Sequence, residues 1–361
     1  MALQYYKLKI SKVTRETHDA VSISFYIPDE IKEQFKYKHG QFLTIKTDLN
    51  GELTKRAYSI SSSPYYEDDL TVTVKQIDNG FVSTYLNEHI KAGDILEVMQ
   101  PRGKFTIDLN SDSERYHVLF SAGSGITPIM SILKSILFVE HKSRVLLVNT
   151  NRNQDTIIFS NELLELQKKY CDRFILMNIL THPVNGWEGF KGRINEDFAM
   201  KILKDNVVNF NLETHYYLCG PYGLMKEIES VLEELNVPKN LIHKESYNAG
   251  VEEDKKLEIH IPKINKEKNM PHDIKIKIYN EIHNLTVEPD ESVLIAAMRE
   301  GHDPPFSCQI GACATCRAKL VSGKVEMDER DALTDEEIEE GYILTCQAHP
   351  LTDDVFVDYD D

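Results

Sequence analysis

The chain has 361 residues, 41% of them hydrophobic, which is ordinary for a protein with buried cores and points to two or three domains. Its net charge is −17, and the imbalance is local: 21 acidic and 7 basic residues lie from His272 to Asp361, against 37 and 34 before them. That distribution argues against a nucleic-acid partner; no apolar run is long enough to span a bilayer (Ile126–Val139 is broken by Lys134), and the N-terminus carries no charged segment followed by an apolar one, so neither membrane insertion nor a secretory signal is expected.

Residues 1–110 are predicted to form a small antiparallel β-barrel. Alternation is clear in Ala20–Ile27 and Leu70–Ile77, and turn residues recur at Asn50-Gly51, Asp78-Asn79-Gly80 and Ala92-Gly93-Asp94. Arg56-Ala57-Tyr58-Ser59 ends one of these strands. An arginine offers a planar donor fork to a phosphate, a tyrosine ring can pack on a flavin, and a serine can hydrogen-bond beside its reactive nitrogen. The same residues would also suit a plain barrel strand with a surface arginine. Gly80-Phe81-Val82-Ser83 then leads into a helix, where backbone N–H groups and a hydroxyl make a phosphate site. Together the two motifs favour a flavin.

The pattern changes near Tyr116. Residues 111–247 alternate strands (His117–Phe120, Val145–Val148, Phe174–Leu180, His215–Leu218) with helices (Pro128–Val139, Asn161–Lys169, Gly223–Leu235), which predicts a parallel α/β sheet. Gly123-Ser124-Gly125-Ile126-Thr127-Pro128 follows the first strand and opens a helix, the setting for a pyrophosphate on a helix N-terminus, although the third glycine of the dinucleotide fingerprint is missing. Cys219-Gly220-Pro221 sits where another strand ends, the edge at which such sheets bind ligands. Arg152, after the second strand, suits the 2′-phosphate of NADPH, and no acid appears before Asp155 to hold the ribose of NADH, so NADPH is favoured over NADH.

Residues 248–271 are polar and charge-rich and read as a linker, with Leu257–Ile264 a candidate extended piece. A third unit, 272–361, opens with strand Ile274–Ile278, then Leu285–Val287 and a helix from Ser292 to Glu300. It holds Cys308, Cys313, Cys316 and Cys346, spaced C-x4-C-x2-C and then 29 residues to the last. That is the plant-type spacing for a [2Fe–2S] cluster. A four-cysteine zinc site is the alternative, but zinc sites usually bring two C-x2-C pairs and only Cys313 and Cys316 form one. Small residues round the loop let backbone N–H groups approach the sulfurs. With four of six cysteines in one motif, a reducing cytoplasm is expected.

These motifs, in this order, resemble the ferredoxin–NADP⁺ reductase superfamily over essentially the whole chain. The likeness is strongest to members with a plant-type ferredoxin domain at the C-terminus, the reductase components of phenylacetyl-CoA epoxidase and related hydroxylases. R-x-Y-S matches Arg56, Tyr58 and Ser59; G-x-x-S matches Gly80 and Ser83; G-x-G-x-T-P matches Gly123, Gly125, Thr127 and Pro128; C-G-P matches Cys219, Gly220 and Pro221, with Met225 in the methionine position that follows. The resemblance implies FAD on the barrel, NADPH or NADH on the α/β domain, and a β-grasp ferredoxin domain. It also implies catalytic positions at Ser59, Cys219 and Glu245, the last in a Glu-x-aromatic segment where Tyr247 stands in place of the more usual Phe. Hydride would pass from NAD(P)H to FAD, and electrons singly through [2Fe–2S] to an oxygenase docking on the acidic ferredoxin domain. Two other readings stay open: a reductase for another acceptor (a hydroxylase, a desaturase or a hybrid-cluster protein), or a non-catalytic, metal-bearing interaction protein.

Overall fold

A computed structural model of the chain describes residues 5–49, 52–77, 80–207, 212–245, 270–289, 291–302, 304–306, 311, 314–330, 333 and 335–360. Asn50-Gly51, Asp78-Asn79, Tyr247, the linker up to residue 269 with its Leu257–Ile264 piece, and Cys308 and Cys313 lie outside those residues.

The first six strands are β1 (Tyr5–Thr17), β2 (Ala20–Tyr26), β3 (Phe42–Leu49), β4 (Glu52–Ser59), β5 (Leu70–Lys75) and β6 (Ile95–Met99), with helix α1 (Phe81–Glu88) before the last. They form an antiparallel sheet in the order β4-β3-β6-β1-β2-β5, and a bridge between Ile60 and Val72 joins its two ends into a barrel. Ile10, Ile23, Phe25, Leu43, Ile45 and Val72 fill the inside. The alternation in β2 has an unexpected second face: Ser22 and Ser24 point away from that core yet are buried, their hydroxyls paired with Thr73 (2.9 Å) and Thr71 (2.8 Å) on β5. A hydroxyl ladder satisfies what would otherwise be costly buried polar atoms.

His39, ahead of β3, is 1% exposed, and its Nε2 accepts the Ile107 N–H (3.3 Å). Burial pushes its pKa down to about 4. A histidine held neutral in the fold binds its proton only in the unfolded chain between pH 6.5 and 4, so its contribution is intact above pH 6.5 and is lost as pH falls through that window. The loss is roughly 2 kcal/mol by pH 5 and about 3 below pH 4. The variant His39→Gln keeps an acceptor for Ile107 and removes the titration. Denaturant unfolding at pH 7.5 and pH 5 should show it losing roughly 2 kcal/mol less than the native chain; equal losses would exclude His39.

The next domain is α/β: β7 (Tyr116–Ala122), α2 (Ile126–Val139), β8 (Arg144–Asn151), α3 (Ser160–Lys169), β9 (Phe174–Leu180), β10 (Phe190–Lys191), α4 (Glu196–Asn206), β11 (Thr214–Cys219), α5 (Tyr222–Glu234) and β12 (Ile242–Glu245). Every pairing is parallel, in the order β10-β9-β8-β7-β11-β12. One core packs the sheet against α2 and α3, the other against α4 and α5. Helix α2 is buried along nearly its whole length because it also seals the sheet to the barrel. Ser131 donates to the Ser62 carbonyl, Ser135 bonds Ser63, and Lys134, 3% exposed, is tied to Glu67 (2.8 Å) and Glu162 (3.3 Å). Among the described residues no helix is long and apolar enough to cross a membrane.

The C-terminal unit contains β13 (His272–Ile278), β14 (Glu281–Val287), α6 (Val293–Arg299), β15 (Arg317–Ser322), β16 (Val325–Met327), α7 (Asp335–Glu339), β17 (Tyr342–Leu344), β18 (Ala348–Pro350) and β19 (Phe356–Asp358). Five strands make a mixed sheet in the order β14-β13-β19-β15-β17, and β16 pairs with β18. The Ser292 hydroxyl caps α6, whose Val293, Ala296 and Ala297 pack on Ile274, Ile276 and Val357. This is the β-grasp arrangement of a helix laid across a mixed sheet.

Candidate functional site

Within the barrel and α/β domains, the predicted flavin residues line the end of β4. Arg56 is exposed, Tyr58 is half-buried with burial holding its hydroxyl protonated, and Ser59 is buried at 3%. Ser59 donates a hydrogen bond to Glu245 Oε2 at 3.2 Å, across 186 residues of sequence. The partner sits at the end of β12, a four-residue edge strand held by side chains as well as by backbone. His243 bonds His215 (3.1 Å) and stacks on Tyr217 (4.8 Å between centroids), while His215 bonds Glu213 (2.7 Å). Burial, then the neighbouring His215 and His117, press the His243 pKa down to about 4, so it is neutral at pH 7.

Gly80 precedes α1 and gives it no side-chain cap, so the first-turn N–H groups are left for solvent or an anion. A Cβ at Gly80 would stand 2.5 Å from Ser83 Oγ. Ser83 itself fastens this loop, accepting from the Ile77 N–H and donating to the Gly80 carbonyl (3.1 Å each).

The nucleotide motifs meet at the reversal of strand order. From β7 the chain steps outward to β8, β9 and β10, then returns to place β11 on the other side of β7, and ligands of such sheets bind in the crevice at the strand carboxyl ends there. Cys219 lies opposite Ser121 in that register. A Cβ on Gly125 would fall 2.1 Å from the Cys219 carbonyl oxygen, and one on Gly220 would stand 3.2 Å from the Ala122 Cβ, so the glycine-rich turn and the C-G-P turn interlock. Thr127 donates to the Ser124 carbonyl (2.9 Å) inside the turn, Pro128 lies in the first turn of α2, and Pro221 is exposed beyond β11. The Cys219 side chain is 1% exposed, packed beneath α2 beside Ile126 and Tyr217. Arg152 is exposed just past β8.

Sequence reasoning missed three residues at this edge. Thr150 Oγ1 and Asn151 Nδ2, at the end of β8, are buried without a hydrogen-bond partner among the described residues. Lys75 Nζ lies 4.0 Å from where a Cβ on Gly123 would be, and pairs with Asp19 (3.6 Å). Orphaned polar atoms at a ligand-binding edge are the clearest sign available that something polar docks there; neither residue type nor local pattern marks them in the sequence.

In the C-terminal unit, Cys316 (2% exposed) and Cys346 (7%) share one pocket with Leu294, Phe306 and Leu344. Gln347 Nε2 approaches Cys346 Sγ at 3.6 Å. Gly311 is left-handed (φ +76°), and a Cβ there would press on Glu329 Cβ (2.9 Å) and Gln347 Cγ (3.1 Å), so only glycine fits at this position. His349, near Cys346 in sequence, is occupied by Asp328 and the Glu291 carbonyl (2.9 Å each). Two buried cysteines, a donor aimed at one sulfur and a glycine held against Glu329 and Gln347 fit a thiolate-bound cluster; the uncapped α1 and the glycine interlock fit a flavin and a dinucleotide.

Fold and site together define a pyridine-nucleotide oxidoreductase carrying a flavin and an iron–sulfur centre. Residues 7–107 match the oxidoreductase FAD-binding domain, 119–230 the oxidoreductase NAD-binding domain, and 276–351 the 2Fe-2S iron-sulfur cluster binding domain. The chain is 35% identical over 360 residues to a subunit of the 1,2-phenylacetyl-CoA epoxidase of Escherichia coli K12, covering 99% of this chain and 98% of that one. It is 34% identical over 355 residues to the ferredoxin reductase component of 3-ketosteroid-9-alpha-monooxygenase from Rhodococcus rhodochrous, covering 98% and 96%. Phthalate dioxygenase reductase shares the fold, with a TM-score of 0.59 over 98% of each chain at 22% identity. The chain belongs to the ferredoxin–NADP⁺ reductase superfamily, in the branch whose members serve as oxygenase reductase components with a C-terminal [2Fe–2S] domain.

Proposed function

We propose that this chain is the cytoplasmic reductase of a multicomponent oxygenase of the phenylacetyl-CoA epoxidase type, drawing on NADPH. The observation that carries the reading is the Ser59–Glu245 hydrogen bond, because it brings the end of a barrel strand to the carboxyl edge of the nucleotide sheet, one strand from Cys219. We assign 1–110 to FAD, 111–247 to the nucleotide, 248–271 to the linker and 272–361 to the cluster domain.

When bound, FAD accepts a hydride from the nicotinamide and releases electrons singly, which the cluster carries one at a time. The chain's own residues supply the rest. Arg56 and the N-terminus of α1 bind the flavin phosphates, with Gly80 and Ser83 shaping that loop. Tyr58 would pack on the flavin ring, a role that the resemblance also gives to Tyr247. Glu245 accepts the single Ser59 proton and so orients the hydroxyl, whose oxygen would be left to accept a hydrogen bond near the hydride-accepting nitrogen. Gly123, Gly125, Thr127 and Pro128 present the α2 N-terminus to the pyrophosphate, Gly220 and Pro221 form the facing wall, and the Cys219 backbone borders the nicotinamide. Arg152 meets the 2′-phosphate, with Thr150 and Asn151 as further polar contacts. Cys308, Cys313, Cys316 and Cys346 hold the cluster. The excess of 21 acids over 7 bases from His272 onward steers a basic patch on the oxygenase toward it.

The visible spectrum of the purified protein, before and after anaerobic NADPH and then NADH, tests this. Flavin bands with a broad iron–sulfur shoulder, bleached fastest by NADPH, are expected. A colourless protein, or flavin bands with zinc in place of iron, would overturn the relay.

A further inference from the structure

β12 is the edge of its sheet, four residues long and paired in parallel with β11 alone. A strand bonded along one side only resists twisting and sliding poorly. Yet β12 carries Glu245, whose bond from Ser59 spans 3.2 Å, at the far limit for a hydroxyl and a carboxylate. A shift of roughly half an ångström would break it. Alternate residues of the strand point to opposite faces. On one face Ile242 packs against the core under α4 and α5, and the exposed Lys244 reaches Glu229 at 3.3 Å. On the other, Glu245 lies opposite Cys219 and His243 opposite Tyr217. His243 anchors that face: its Nε2 meets His215 Nδ1 at 3.1 Å with the ring planes 14° apart, and its ring stacks on Tyr217. A carboxylate can only accept, so His215 Nε2 donates to Glu213 Oε1 (2.7 Å); in the neutral pair His215 Nδ1 is then left to accept the His243 Nε2–H. Tyr217 is held in turn through its hydroxyl by His117 (3.4 Å), which bonds Glu140 (2.9 Å). His215 and His117 are buried, so competing water is excluded, and a fully satisfied polar network of this kind specifies one arrangement.

We propose that the Glu213–His215–His243 chain fixes the twist of β12 and so the point at which Glu245 meets Ser59, which makes His243 a positioning residue for hydride transfer. The inference rests on the reading of Ser59 as a flavin contact. The Ser59 hydroxyl serves in one orientation, with its proton on Glu245 and its oxygen turned away from it. A tilt of β12 redirects that proton and misplaces the oxygen, and a misplacement of about 1 Å near the chemistry can cost 10²-fold in rate. The stack on Tyr217 alone would not prevent it, because offset rings tolerate sliding, whereas a hydrogen bond in the ring plane fixes direction. His243 acts only through Glu245, and it stands in a stretch of sequence with no period to mark it.

The test is stopped-flow reduction of the flavin by NADPH in the full-length protein. His243→Phe keeps a ring on Tyr217 and removes the bond to His215. Its limiting rate should fall about tenfold, with the apparent Kd for NADPH within about twofold of native and reduction by dithionite unchanged. His243→Gln puts an amide N–H where the Nε2–H was and should recover most of that loss. The deciding comparison is made on Glu245→Ala. If His243 acts through Glu245, adding His243→Phe to that variant should cost less than about twofold more, whereas a packing defect would repeat its tenfold loss in full. A native rate in His243→Phe, or full repetition of the loss on Glu245→Ala, overturns the proposal. Glu213 is 60% exposed and gives a second handle should the phenylalanine variant not bind flavin. Glu213→Ala should slow reduction about threefold, and only where Glu245 is present; a native rate there overturns the proposal as well. Failure of the underlying reading looks different: Glu245→Ala alone would then be reduced at the native rate, and the proposal would fall with it.

Discussion

Replacing Cys346 with serine should abolish electron delivery to one-electron protein acceptors while leaving the flavin half of the molecule working. Cys346 lies two residues past the end of β17 and sits 7% exposed in the buried cluster shared with Cys316. A plant-type cluster is held by four Cys thiolates, and a serine hydroxyl, far from ionised at neutral pH, is a much weaker iron ligand, so one of the four proposed ligands is lost. The residues proposed above for the flavin and nucleotide sites run from Arg56 to Tyr247, far from the substitution in sequence. NADPH-driven reduction of ferricyanide, which takes electrons from the flavin itself, should therefore stay within about twofold of native, while cytochrome c reduction falls on the order of a hundredfold or more. Iron analysis and the paramagnetic signal should show the cluster gone. Full cytochrome c activity with iron retained would mean that Cys346 is not a ligand, and would reopen the zinc alternative for the remaining cysteines. Cys316→Ser should behave in the same way, since Cys316 is still more deeply buried.

Much of the architecture is legible in the sequence because the relevant signals are local. Alternation marks β2 and β5, and the switch to strand–helix alternation at Tyr116 marks β7, α2 and β8 with ends shifted by at most three residues. No element is predicted between β9 and β11, although α4 carries readable marks: Asn195 caps it, Glu196 and Asp197 fill its first turn, and Ala199, Ile202 and Leu203 make one apolar face. Its polarity disguises it. β12 is invisible for a different reason. Four residues, Ile242–Glu245, have no period to detect, and they become a strand only because β11 offers an edge and because His243 stacks on Tyr217. Resemblance can name Glu245 but cannot show that it accepts from Ser59. Sheet order is equally hidden, since no local pattern says that β11 will return beside β7. The hydroxyl face of β2, the orphaned atoms on Thr150 and Asn151, and the burial of the Cys219 side chain all follow from that packing rather than from residue type.

The two glycines of the turn after β7 should fail in different ways, and the contrast tests the nucleotide site. Gly125 has ordinary helical geometry (φ −59°, ψ −14°), so alanine suits its backbone, but the added Cβ would meet the Cys219 carbonyl oxygen at 2.1 Å, its carbon at 2.6 Å and the Gly220 nitrogen at 3.0 Å. All three are backbone atoms at or just past the end of the β7–β11 ladder, so none can swing aside as a side-chain tip would. The N-terminus of α2 must instead lift off β11, opening the crevice where the two motifs interlock. Overpacking of this kind costs roughly 1–3 kcal/mol, and a misplacement of about 1 Å near the chemistry can cost 10²-fold in rate. Gly125→Ala should therefore lower NADPH-driven flavin reduction about a hundredfold, while dithionite still reduces flavin and cluster alike. Gly123 is the reverse case: its φ is +55°, which disfavours alanine by roughly 1–2 kcal/mol, yet the nearest atom to a new Cβ is the mobile Lys75 Nζ at 4.0 Å. Gly123→Ala should lower stability by about that amount and keep most of the NADPH reactivity. Stopped-flow flavin reduction with NADPH, beside thermal unfolding of both variants, separates the two effects. If Gly125→Ala bound and oxidised NADPH as readily as Gly123→Ala, the interlock of the two turns would not be what holds the pyrophosphate end of the site in place.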